Sequence, residues 1–144
     1  MTGKRIVVAS WLTLGVFALI GILDVLGVSA LDTAVGVYSL ALFFASLVIW
    51  IYAFGKVLVR NTQGDDIAVA SWVFLQGSAP KDVRRHLLGA TLASCVLGFG
   101  MGFANPLGAL VPMFQLGLAA LWGARHGTYP ERKLPPATTR GVRR

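Results

Sequence analysis

The sequence predicts an all-α protein, a transmembrane four-helix bundle made of two helical hairpins with a short interfacial segment between them. Three observations lead there. Of the 144 residues, 56% are apolar and only 13% are charged, whereas a soluble domain carries about 25% charged residues. The mean hydropathy is +0.70, which is most simply explained if lipid replaces water over much of the surface. The apolar residues also fall into four runs, and one helical crossing of a hydrocarbon core about 30 Å thick takes about 20 residues. Four crossings and their connections consume most of the sequence, which leaves no polar block of about 50 residues for a separate soluble catalytic domain. The expected organisation is one transmembrane domain over residues 1–125 and a tail over residues 126–144.

The first run, residues 6–28, follows Lys4 and Arg5 and is interrupted only by Asp24. Together with Val28-Ser29-Ala30 it imitates a cleaved signal, but it is longer than a signal's apolar region and Asp24 would stand next to the cleavage site. It is therefore read as a retained helix. The second run, residues 33–55, lies between Asp32 and Lys56 and forms a hairpin with the first. The third, residues 87–104, starts after Arg84-Arg85-His86 and is broken by Asn105-Pro106, because proline lacks the amide donor and clashes with the preceding turn. The fourth, residues 107–124, is closed by Arg125, and Pro112 within it should free the carbonyl of Gly108 and bend the helix. These last two crossings are short enough to stand upright or to thin the bilayer.

Between the hairpins, residues 67–75 form an apolar run, Ile67 to Leu75. Nine residues of helix rise only about 14 Å, so this run is predicted to lie in the membrane interface, anchored through Trp72, Phe74 and Leu75. A lid or a docking element for a partner is the alternative. The tail at residues 126–144 is rich in proline, threonine and arginine without periodicity, and is predicted to be a basic, disordered segment.

Orientation follows from the lysine and arginine bias of short loops. Lys4 and Arg5 precede the first crossing. Lys56, Arg60, Lys81, Arg84 and Arg85 lie between the second and third, and the remaining basic residues follow the fourth. All 13 thus fall on one side, which predicts a multi-pass protein of a bacterial inner membrane with both termini in the cytoplasm. Trp50, Tyr52, Trp72 and Trp122 fall at the same interface, as an aromatic belt would. Arg84 and Arg85, with Trp72 and Phe74, are the expected membrane-surface residues, facing the anionic headgroups of the cytoplasmic leaflet. Nucleic acid is set aside as the partner of this basic chain, since topology explains the charge and no aromatic-interleaved basic surface accompanies it.

Helices in lipid associate where small residues let backbones approach. Ala90, Ser94, Gly98 and Gly102 recur every four residues in the third crossing, and Gln115, Ala119, Gly123 and Gly127 do so in the fourth. These two rows are expected to meet within the hairpin, with contact to another chain as the alternative.

Chemistry-bearing residues are sparse. Asp24 falls near the end of its helix and reads as a wetted carboxylate. Gln115 is the only strongly polar side chain deep in the fourth crossing, where an interhelical hydrogen bond is its expected role; with Pro112 and Asp24 it is a possible substrate or partner contact. Ser10, Thr13, Ser39, Ser46, Thr91 and Ser94 can bond their own backbone and carry no signal. His86 and His126 share one edge but stand among arginines, and the single Cys95 makes no disulfide or cysteine metal site. No hydrolase, zinc-protease or nucleotide-loop motif occurs in a fitting context. No catalytic residue, cofactor or metal site is therefore expected.

The segments Ser78-Ala-Pro-Lys-Asp-Val-Arg-Arg-His-Leu-Leu-Gly-Ala90, Leu110-Val-Pro-Met-Phe-Gln-Leu-Gly-Leu118 and Leu121-Trp-Gly-Ala-Arg-His-Gly-Thr-Tyr-Pro130 resemble small actinobacterial integral membrane proteins without an assigned function. The resemblance implies an inner-membrane location and brings no catalytic residue. Small multidrug exporters, by contrast, need a glutamate in the first helix, and the only glutamate here is Glu131. The expected function is a non-enzymatic accessory or assembly subunit of a larger membrane complex, associating with other subunits or with itself. A small transporter or flippase for a lipid-linked or hydrophobic substrate is the alternative.

Overall fold

The computed structural model describes residues 3–27, 31–101 and 105–132, and all regular structure within them is helical. The elements are α1 (Gly3–Val25), α2 (Leu31–Thr62), α3 (Val69–Val73), α4 (Lys81–Gly100), a 3-10 turn at Pro106–Leu110, and α5 (Val111–His126). Three helical stretches are long and apolar enough to cross a membrane: Gly3–Val25, Leu31–Thr62 and Pro106–His126.

The expected third crossing does not reach that standard over its described residues. Its helix starts earlier than expected, at Lys81, so its first turns carry Lys81, Asp82, Arg84, Arg85 and His86. The apolar part runs only from Leu87 to Met101, and residues 102–104, including Gly102 of the expected packing row, lie outside the described residues. The second helix is longer than expected and continues past Lys56 to Thr62. At about 48 Å it exceeds a hydrocarbon core by several turns.

The helix α5 is the centre of the fold. In the apolar 18-residue stretch within Pro106–His126, 67% is buried, against 28% in the corresponding stretch of each of the other two. Its Gly117, Ala119, Ala120, Gly123 and Ala124 are all buried; such small side chains let neighbours approach on every side, and α1, α2, α3 and α4 all contact it. The outer helices bury one stripe each. In α1 this is Ile6, Ser10, Leu14, Phe17 and Gly21, and in α4 it is Leu87, Ala90, Ser94 and Gly98, both at helical spacing. Their opposite faces leave large apolar side chains such as Leu12, Leu19, Phe44, Val48 and Ile51 exposed, a surface suited to lipid and not to water.

Contacts along the chain set the helix directions. Gly3 lies against Trp122, Ser10 bonds Gln115, and Phe17 meets Gly108, so α1 runs antiparallel to α5. Trp50 meets Gly117 and Arg60 reaches the Ala124 carbonyl, so α2 runs parallel to α5. Trp11 meets His86 and Gly21 meets Met101, so α4 runs with α1. The starts of α1 and α4 and the ends of α2 and α5 therefore share one end of the molecule, and every described lysine and arginine lies there. At the opposite end, the Asn105 side chain donates to the Asp32 carboxylate at 2.9 Å and to its backbone carbonyl at 3.0 Å, and accepts from the Leu107 amide at 3.1 Å.

The structure corrects three further expectations. Pro112 stands in the first turn of α5, where a missing amide has no partner to lose, so it starts a helix and does not bend one. The apolar run at residues 67–75 contains only the five-residue α3, and Trp72 is turned inward: it is buried, and its indole N–H donates to the Ala120 carbonyl at 2.9 Å. Leu75 is driven to φ 55, a left-handed conformation unfavourable for a branched side chain, and is held there by complete burial against α5. The start of the expected disordered tail is folded back. The Asp66 amide donates to the Pro130 carbonyl at 2.8 Å, the Arg132 amide to that of Gly64 at 2.7 Å, and the Thr128 amide to that of Ser78 at 3.0 Å. Residues 133–144 lie outside the described residues.

Candidate functional site

Two polar constellations stand out. The first lies inside the fold. The Ser10 hydroxyl donates to the Gln115 side-chain oxygen at 2.6 Å, and the Gln115 amide donates to the Ser10 carbonyl and to the Thr13 hydroxyl oxygen, both at 3.2 Å. The Thr13 hydroxyl donates to the Ala9 carbonyl at 2.8 Å, and the Tyr38 hydroxyl donates to the Thr13 carbonyl at 3.0 Å. Gln115 is fully buried and spends both ends of its amide on α1. This is a helix clamp, and it joins three helices through Tyr38 of α2.

The second constellation lies at the basic end, between the last turns of α2 and α5. A cleft of about 570 Å³ opens there between Tyr52, Lys56, Arg60 and Gln63 on one side and Arg125 and His126 on the other. The cleft has these walls because α2 runs past the apolar stretch while α5 stops at His126. Arg60 is pinned: its Nε donates to Asp65 at 2.7 Å, one terminal nitrogen reaches the Ala124 carbonyl at 3.4 Å, and its guanidinium lies 4.8 Å from the Tyr129 ring centroid. The Tyr129 hydroxyl donates to the Gly123 carbonyl at 2.9 Å. The Ala124 carbonyl thereby gains a donor, and the Gly123 carbonyl, already bonded by the Gly127 amide at 2.9 Å, gains a second, which damps the negative end of the α5 dipole. Burial pushes the Tyr129 phenol above its ordinary value of 10.0; the Ser78 hydroxyl and Arg60 oppose this and Asp65 adds to it. The phenol is consequently protonated and a donor at neutral pH. A shallower apolar groove over Ile51 and Gly55 continues from the cleft, sharing Tyr52, Lys56 and Val59.

The helices α4 and α5 that carry the two expected packing rows do pack together, but the glycines of those rows close on other neighbours. Ala90, Ser94 and Gly98 all face inward, but a side chain on Gly98 would lie 2.5 Å from the Gly108 carbonyl oxygen, so its partner is the 3-10 turn. Gly123 is covered by the Trp72 carbonyl and Leu75, and Ala119 is fully buried in the main apolar cluster. Phe74 is exposed, Arg84 is half-buried and Arg85 is exposed; the two arginines flank a groove with Lys81 and Leu88. Asp24 is partly exposed near the end of α1. His86 lies against Trp11 and His126 against Trp122, and among the described residues no three His, Cys, Asp or Glu are grouped to hold a metal ion.

Two sets of residues carry no functional signal in the sequence. Ser10 and Thr13 can bond their own backbone, and Thr13 does so, yet both also meet Gln115. Lys56, Arg60 and Arg125 carried only topological meaning in the sequence, and nothing in their spacing brings them to one cleft. The chain matches no known protein family profile, no curated protein and no solved structure.

Proposed function

We propose that this chain is an integral protein of a bacterial inner membrane, crossing it four times with both termini in the cytoplasm, and that it is a non-enzymatic accessory or assembly subunit of a larger membrane complex. The observation that carries this reading is the use made of Gln115. The one strongly polar side chain deep in α5 is consumed by Ser10 and Thr13, so the interior polarity holds helices together. The broad apolar faces of α1 and α2 are left for lipid and neighbouring subunits.

Four crossings are supported by the helix directions: α4 runs with α1, and its basic first turns stand at the same end as Lys4 and Arg5. That end is the cytoplasmic one by the positive-inside rule. A transporter built on Gln115 and Pro112 is the weaker reading, since the first is fully engaged and the second begins a helix. The inner-membrane source agrees with what the resemblance of residues 78–135 implies.

Purification in mild detergent followed by native mass spectrometry tests the subunit role. Defined stoichiometric partner chains are the expected result, and recovery as a lone monomer would overturn it. For topology, a reporter active only in the periplasm should be silent when fused to the C-terminus; activity there contradicts four crossings.

A further inference from the structure

We propose that the cleft between the ends of α2 and α5 is a binding site for one anionic phospholipid, its phosphate held between Lys56 and Arg125 and an acyl chain lying along α2 over Gly55. This rests on the membrane reading above.

Four observations converge on it. Lys56 is the first charged residue after the apolar stretch of α2, so the cleft sits where a hydrocarbon core gives way to headgroups. The only ion pair among the described residues is Arg60 with Asp65; Lys56 and Arg125 are exposed and have no carboxylate partner among those residues, and both line one cleft of about 570 Å³. Two carbonyls of the last turn of α5, whose partial charge would repel an anion, are engaged by Arg60 and Tyr129. The cleft is also amphipathic in the manner of a lipid, since it continues into the apolar groove of about 370 Å³ along Ile51 and Gly55. Nothing stands within 4 Å of where a Gly55 side chain would be, so the groove is unobstructed there and a large side chain at residue 55 would fill it. A soluble phosphate compound would use the cations and ignore the groove, which is why the occupant is assigned as a lipid. Basic pockets between membrane helices at the cytoplasmic face bind such headgroups.

The test titrates the full chain, purified in mild detergent, with phosphatidylglycerol and with phosphatidylcholine of the same acyl chains, counting bound lipid by native mass spectrometry. One phosphatidylglycerol should bind in preference. The Lys56→Gln/Arg125→Gln variant should weaken it by about thirty-fold, at about one surface cation's contribution for each residue. Gly55→Leu should weaken it by about ten-fold, as the loss of about two buried methylenes would, with Gly55→Ala as the milder variant. Arg84→Gln/Arg85→Gln, an equal charge change elsewhere at the same end, should alter binding by less than about three-fold.

Equal loss in the two double variants would reduce the effect to general surface charge and overturn the site. Full competition by inorganic phosphate, with Gly55→Leu silent, would make the occupant a soluble anion and overturn the lipid assignment. Alkaline carbonate extraction of membranes separates this from the underlying reading. A chain released without detergent defeats the membrane reading itself, whereas a chain retained but indifferent to lipid charge defeats only the site.

Discussion

Ser10 and Gln115, 105 positions apart, are joined inside the fold by a 2.6 Å hydrogen bond from the serine hydroxyl to the glutamine oxygen, and the glutamine amide returns a bond to the Ser10 carbonyl. Both residues are fully buried. The pair ties the first helix to the last, and its strength is open to measurement. In membrane proteins such bonds average about 0.6 kcal/mol. A double-mutant cycle of Ser10→Ala and Gln115→Leu in detergent should return a coupling of about that size. Strict additivity of the two effects would remove the clamp from the account.

Gly98 and Gly89 lie in the same helix, and alanine should act on them in opposite directions. A methyl group on Gly98 would meet the Gly108 carbonyl, a backbone atom that cannot swing aside, and overpacking of this kind costs about 2 kcal/mol. Nothing lies within 4 Å of the Gly89 position, so there the better helix propensity of alanine should stabilise by up to about 1 kcal/mol. Thermal unfolding of Gly98→Ala and Gly89→Ala in one detergent decides the matter, and two shifts of the same sign would contradict the observed packing.

Tyr129 should give stability an alkaline limit. Burial raises its phenol above 10.0 in the fold. A raised phenol holds its proton more tightly when folded than when unfolded. Its contribution is therefore complete below about pH 10 and is lost as the pH rises through the higher, folded value. Tyr129→Phe should lose about 1 kcal/mol at neutral pH with the hydrogen bond to Gly123, and should fall less steeply than the parent as the solution becomes alkaline. Parallel stability profiles for the two proteins would exclude Tyr129 as the source.

Asn105 should matter more than its position in a connection suggests. Its side chain caps the 3-10 turn and holds Asp32 at the start of α2. Asn105→Ala should cost about 1–2 kcal/mol, in the range for loss of a cap with a buried bond. Asp32→Ala should cost less, because the capping bond and the one to the Asp32 backbone survive it. Amide exchange at the starts of α2 and α5 should rise in the first variant; unchanged exchange there would show that the link is idle.

The rows Ala90-Ser94-Gly98 and Ala119-Gly123 show how far spacing carries. Four-residue spacing puts residues on one helix face, and the structure buries all five. Spacing does not say what covers that face. Gly98 closes on Gly108 and Gly123 on Trp72, because α5 is contacted by α1, α2, α3 and α4 and the neighbour met changes along its length. Trp72 misleads for a related reason. An exposed interfacial anchor and an inward tryptophan have the same local sequence, and only the packing of residues 69–75 onto α5, where the Ala120 carbonyl accepts the indole N–H, turns the ring inside.

Composition and apolar run length by themselves determine that this chain is helical and that it holds helices able to cross a membrane. Those properties are local: hydropathy and segment length suffice, and no partner has to be known. The order of basic and non-basic connections likewise determines which residues can share an end. What only the tertiary structure decided is which helix is central, that residues 126–132 fold back onto the loop after α2, and that Lys56 and Arg125 confront each other across one cleft. Each of these depends on how far one helix is rotated and slid against another. That quantity is set by the sum of many small contacts between distant residues, and no single segment encodes it.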